Sequence, residues 1–132
     1  IAAIADRTDL SGVRIAIWGL TFKANTDDLR DSPALEIAAL LLDAGADVRA
    51  YDPAASETAA TRLPALEIST DAYGCCVGAD VAVLLTEWEE FRWLDFARVA
   101  EVMATPRIVD ARNLLDPHAL RRLGFRYEGV GR

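Results

Sequence analysis

Lysine is almost missing from this sequence. Of its 14 basic residues all but Lys23 are Arg, and they face 21 acids, for a formal net charge of −7 over 132 residues. That balance excludes a general nucleic-acid or anionic-membrane surface, because both need a positive field. It leaves room for a local basic pocket that takes a phosphate. Histidine is also single, His118, and the two cysteines, Cys75 and Cys76, are adjacent. Neighbouring thiols do not bridge easily within a regular element, and two thiols make no disulfide framework. A reducing, cytoplasmic compartment is therefore expected. With no His near them in sequence, the default for the pair is buried, inert thiols, and a Cys–His nucleophile is the minor reading. No stretch reaches the roughly 18–20 uninterrupted apolar residues of a membrane span. The first ten residues, IAAIADRTDL, lack the basic n-region and the long apolar run of a signal peptide. They begin mid-pattern and without Met, so a piece of a longer protein is expected.

What is present suits one ordinary domain with a real core. The chain is 52% apolar, enough burial to offset its ordering entropy. Residues 1–11 read as the end of a preceding linker or helix, and 12–132 as the domain. Val13–Trp18 is a compact β-rich run that stops at Gly19, as in a parallel strand covered on both faces. After a polar loop from Thr21 to Asp31, Ser32 offers an N-cap and Pro33 a first helical position. The helix over 34–44 is almost all Ala, Leu and Ile, which predicts that it is mostly buried, and Gly45 is placed to cap it. Further strands are expected at Asp47–Tyr51, Leu66–Ser69, Asp80–Leu85, Arg107–Asp110 and, as an edge, Phe125–Glu128. Helices are expected at about 55–63, 70–78, 89–103 and 117–123. Short strands alternating with helices imply right-handed crossovers, hence a three-layer α/β/α sandwich around a mainly parallel sheet.

In such sheets ligands bind beyond the carboxyl ends of the strands. The shortlist is then Gly19–Asp31, Asp52-Pro53, Thr86-Glu87-Trp88 and the run from Asp110 to Asn113. The first of these is no dinucleotide fingerprint, since Gly19 is followed by Leu20-Thr21-Phe22-Lys23 and not by further glycines. It is not a P-loop either. It offers a ring, an ammonium, two carboxylates and a guanidinium: Phe22, Lys23, Asp27, Asp28 and Arg30. The ring can stack on a base or sugar, and the cations can pair with phosphates or carboxylates. A solvated loop with local ion pairs is the plainer reading of the same residues. Lys23 weighs against it, as the one ammonium in a chain that otherwise uses guanidinium. Asp52 reads as an Asp-Pro turn starter more than as a ribose-binding acid. Asp27-Asp28 lacks a third acid that would complete a magnesium site, so no metal is expected. Arg112 opens a C-terminal stretch, 112–132, with five Arg against Asp116 and Glu128.

Taken together, the motifs carry a resemblance. The run IWGLTFKANTDDLRDSPA, from Ile17 to Ala34, strongly resembles the opening of the C-terminal domain of the UDP-glucose/GDP-mannose dehydrogenase family. Tyr51-Asp52-Pro53, Leu85-Thr86-Glu87-Trp88 and Asp110-Ala111-Arg112-Asn113 match its later landmarks, in order, over about residues 12–125. Thr21 and Ala24 depart from it, standing where the family often has Ala and Pro. The resemblance implies a Rossmann-like domain of an enzyme that oxidises the C6 alcohol of a nucleotide sugar to a carboxylate, with two hydride transfers to NAD. It implies that NAD is bound mainly by a separate N-terminal domain and that the reactive cysteine lies in a central region, so that no catalytic residue falls in this chain. Phe22, Lys23 and Arg112 would contact the nucleotide sugar, and Arg30 would reach toward NAD. The implied partners are the enzyme's own N-terminal and central domains, in a homodimer or larger assembly. A different class of reading, a stand-alone nucleotide-binding or receiver-like module without catalysis, is distinguished by magnesium binding at Asp27/Asp28 without nucleotide. For Thr86-Glu87-Trp88 the resemblance implies no chemical role.

Overall fold

An uninterrupted apolar run can be a strand only if both of its faces are covered, and the first strand meets that condition. In the computed structural model, which describes residues 11–21, 33–54, 63 and 65–129, β1 is Arg14–Trp18. Its Ile15 and Ile17 enter one hydrophobic cluster, and Ala16 and Trp18 enter the other. The remaining strands are β2 (Asp47–Tyr51), β3 (Glu67–Ile68), β4 (Val81–Leu84), β5 (Arg107–Asp110) and β6 (Arg126–Gly129). They form one sheet in the order β3-β2-β1-β4-β5-β6, with every pair parallel. This is the doubly wound, Rossmann-like order, and its switch point falls between β1 and β4.

Helix α1 (Pro33–Asp43) covers one face of the sheet. The other face carries α2 (Glu89–Arg92), α3 (Phe96–Val102) and α4 (Pro117–Arg122), together with a 3₁₀ turn at Gly74–Cys76. α1 closes as its sequence predicts. Gly45 sits at φ 95°. Its N–H donates to the Leu42 carbonyl, and the Ala46 N–H donates to that of Leu41, the paired bonds of a Schellman cap.

Three expectations are corrected. α1 is not mostly buried: Ala34, Leu35, Ala38 and Leu41 form its inner face, while Leu40 is 67% exposed. Residues 70–78 make only the single 3₁₀ turn. The Asp71 carboxylate accepts from the Gly74 N–H, and Gly78 takes φ 70°, so the segment is broken before a helix can repay its nucleus. The run 89–103 divides into α2 and α3 at Asp95. The Asp95 side chain accepts from the Arg98 N–H as N-cap of the second helix, and its own N–H donates to the Tyr73 hydroxyl. The expected helix at 55–63 falls outside the described residues except for Leu63, which packs on the α1 side of the core.

Candidate functional site

Aromatics and cysteines aside, the buried polar side chains among the described residues are Thr21, Asp52, Thr86 and Asp110. Each stands at or just past the carboxyl end of a central strand, β1, β2, β4 and β5 respectively. Buried polar groups persist where they are hydrogen-bonded, and these four build the ligand edge of the sheet.

Asp52 makes the turn expected of Asp-Pro, with Oδ1 accepting from the Ala54 N–H at 2.8 Å. Its other oxygen does more. Oδ2 accepts from the backbone N–H groups of Leu20 (2.8 Å) and Thr21 (3.2 Å) and from the Trp88 indole (3.2 Å). The chain leaving β1 is thus held to the end of β2, and the Gly19 N–H adds a bond to the Tyr51 carbonyl. From the β4 side, the Thr86 hydroxyl donates to the Thr21 carbonyl at 2.8 Å. A Cβ on Gly19 would lie 2.5 Å from the Thr86 Cβ, and Gly19 has φ 94°. The glycine is therefore required twice over, by backbone conformation and by close packing.

At the end of β5, Asp110 Oδ1 accepts from the Arg112 N–H (3.0 Å). Its Oδ2 accepts from the Leu115 N–H (2.8 Å) and from the Tyr127 hydroxyl on β6 (2.9 Å). Asn113 follows in the left-handed region at φ 54°. The Arg112 side chain turns back along the sheet edge. Its Nε donates to the Leu85 carbonyl at 2.9 Å and lies 3.2 Å from Glu87 Oε2.

The Thr-Glu-Trp landmark, which had no role from sequence, now has three. Thr86 reaches the chain leaving β1, Trp88 reaches the end of β2, and Glu87 reaches Arg112, two residues past β5. Consecutive side chains from one strand end tie together the other three. No sequence pattern flags this, because each partner lies 25 or more positions away and is chosen by strand order.

Among the described residues, two ionisable groups are shifted. Burial, then the Glu90 carboxylate that its hydroxyl bonds, push the Tyr51 phenol up to about 12. Hydrogen bonding to Cys75, together with burial, drives the Cys76 thiol strongly upward, and both thiols are free and buried. Of the four contact residues that the resemblance names, Phe22, Lys23, Arg30 and Arg112, only Arg112 is placed. Phe22, Lys23 and Arg30 lie outside the described residues, as do Asp27 and Asp28.

An all-parallel, doubly wound sheet with buried carboxylates anchoring its strand-end loops and an Arg laid across the ends of β4 and β5 defines a Rossmann-like α/β domain by class. The comparisons make it specific: the chain belongs to the UDP-glucose/GDP-mannose dehydrogenase family, whose UDP binding domain matches residues 16–117. It is 47% identical over 124 residues to a UDP-glucose 6-dehydrogenase of Rhizobium meliloti, covering 94% of this chain and 28% of that one. A UDP-glucose 6-dehydrogenase of Pseudomonas aeruginosa is 44% identical over 127 residues, covering 92% and 28%. Among solved structures, an NDP-N-acetyl-D-galactosaminuronic acid dehydrogenase from Methanosarcina mazei superposes with a TM-score of 0.82 at 28% identity, over 99% of this chain and 27% of that one. A UDP-glucose dehydrogenase from Pyrobaculum islandicum gives 0.75 at 31% identity, over 92% and 26%. The chain therefore spans little more than a quarter of the length of these relatives.

Proposed function

We propose that the chain is the nucleotide-sugar-binding domain of an NAD-dependent UDP-glucose 6-dehydrogenase, and that residues 12–132 form that domain. The observation that carries the reading is the bonded edge at the ends of β1, β2, β4 and β5, which holds Arg112 across the mouth of the sheet. A guanidinium there suits a diphosphate, and Phe22 and Lys23 follow directly on the clamped residues Leu20 and Thr21 in sequence.

The turn after β1 lacks the further glycines of a dinucleotide fingerprint, and Thr86 packs against its one glycine, Gly19, which supports a site for the dinucleotide elsewhere. NAD is accordingly assigned to another domain of the enzyme, with Arg30 as this chain's contribution toward it, and no hydride-transfer step is assigned to these residues. The same reading gives the chain its partners, the N-terminal and central domains in a homodimer or larger assembly. It places the protein in the cytoplasm, a reducing setting that suits two free buried thiols. No helix among the described residues is long and apolar enough to cross a membrane.

The test is steady-state kinetics of the full-length protein with UDP-glucose and NAD. NADH is expected to form. Lys23→Ala should lower kcat/KM by roughly 10- to 150-fold, the loss of one charge-assisted contact. Failure to oxidise any nucleotide sugar overturns the reading of the domain, and full activity in Lys23→Ala returns that lysine to a solvated loop. Magnesium bound without nucleotide would favour the receiver-like module.

A further inference from the structure

Resting on the nucleotide-sugar reading, we propose that Glu87 is a positioning residue that sets the orientation in which Arg112 meets the substrate. The Arg112 backbone is fixed first: its N–H donates to the buried Asp110 carboxylate, and the next residue, Asn113, turns in the left-handed region. Its side chain is fixed next, at Nε, by the Leu85 carbonyl at 2.9 Å and by Glu87 Oε2 at 3.2 Å. A guanidinium is planar, and it recognises a phosphate or carboxylate as a fork lying in that plane. Two acceptors converging on the one Nε–H orient the plane. The ordering entropy that a loose arginine would lose on binding is then lost at folding instead.

An ordinary surface ion pair contributes little and would leave substrate affinity untouched. Two observations separate this pair from that case. The same Nε also bonds a backbone carbonyl at the end of β4, so the guanidinium lies along the sheet edge and spans the ends of β4 and β5. Glu87 is also flanked by Thr86 and Trp88, whose side chains are bonded to Thr21 and Asp52. The carboxylate is therefore presented from an anchored segment.

The experiment compares wild type, Glu87→Ala, Glu87→Gln, Arg112→Ala and the double Ala variant of the full-length protein, with UDP-glucose varied at saturating NAD. Glu87→Ala should raise KM about fivefold, the scale of one partly exposed charged contact, with kcat within about twofold. Glu87→Gln keeps an acceptor for Nε and should stay within about twofold of wild-type KM. In the Arg112→Ala background the Glu87→Ala effect should vanish. A wild-type KM in Glu87→Ala, or equal KM increases in Glu87→Ala and Glu87→Gln, overturns the proposal. So does a lowered KM in either, which would make Glu87 a competitor for the arginine. If instead Arg112→Ala keeps wild-type KM, the assignment of Arg112 to the substrate fails, and this inference with it.

Discussion

A methyl group at Gly19 has nowhere to go. It would meet Thr86 at 2.5 Å while the backbone holds φ 94°, so Gly19→Ala should cost about 3 kcal/mol and lower the melting temperature by roughly 10 °C. Gly12 is the control: it has φ 82° but nothing within 4 Å of an added Cβ, so Gly12→Ala should cost only about 1 kcal/mol. Equal losses in thermal melts of the two variants would show that backbone strain alone, and not the contact with Thr86, governs Gly19. At this scale the acids closing β2 and β5 are legible in the sequence, Asp52 as the start of an Asp-Pro turn and Asp110 as the acid that ends a short strand run. Their partners are not. Leu20 lies 32 positions from Asp52 and Tyr127 lies 17 from Asp110. Arg112 is reached by its place after a strand and by family resemblance. Glu87 is on the same shortlist, but its pairing with Arg112 is missed, since only the adjacency of β4 and β5 brings the two together. Phe22, Lys23 and Arg30 rest on the chemistry of their loop and, for their roles, on the resemblance.

Elements were legible in proportion to how many of their faces are buried. β1 and β4 are covered on both sides, so every residue in them is apolar past Arg14, and their limits read to within a residue. The helices are half exposed and rich in Ala and Leu, a composition that names a helix without saying which side is wet. That is why Leu40 is a surprise and why the break at Asp95 passed unseen. β2 and α2 meet through one polar contact, in which the Tyr51 hydroxyl donates to Glu90 Oε2 at 3.2 Å, and this contact has a pH signature. The folded phenol titrates near 12 against an ordinary 10. Below pH 10 both states keep the proton and the contribution is intact. Between pH 10 and 12 the unfolded chain releases it first, so stability falls as pH rises. Wild type should therefore lose more stability than Tyr51→Phe across that interval in denaturant titrations. Parallel curves would remove Tyr51 from the account.

At the scale of the molecule, the three layers follow from an alternation of short apolar strands and helices that any reader of the sequence can count, while the crossover rule fixes the handedness and leaves the strand order to the structure. The core on the α2–α4 side encloses Cys75 and Cys76 with Trp18 and Phe91, and the Cys76 thiol is held well above its usual range by its neighbour and by burial. A thiol reagent should label both cysteines only as the fold opens, with rates that rise with denaturant alongside global unfolding. Rapid labelling of the native protein would refute that. One consequence concerns how the sheet bears load. β2 and β4 share no ladder, and each is joined to the other through β1. Above the end of β1, two side-chain bonds, Trp88 to Asp52 and Tyr51 to Glu90, run directly between the halves. Mechanically this is a seam closed twice, by backbone below and by side-chain stitches above. A force prying the halves apart at the ligand edge strains the stitches before it reaches the ladder, so the mouth of the sheet behaves as a stiff lip and not as a hinge.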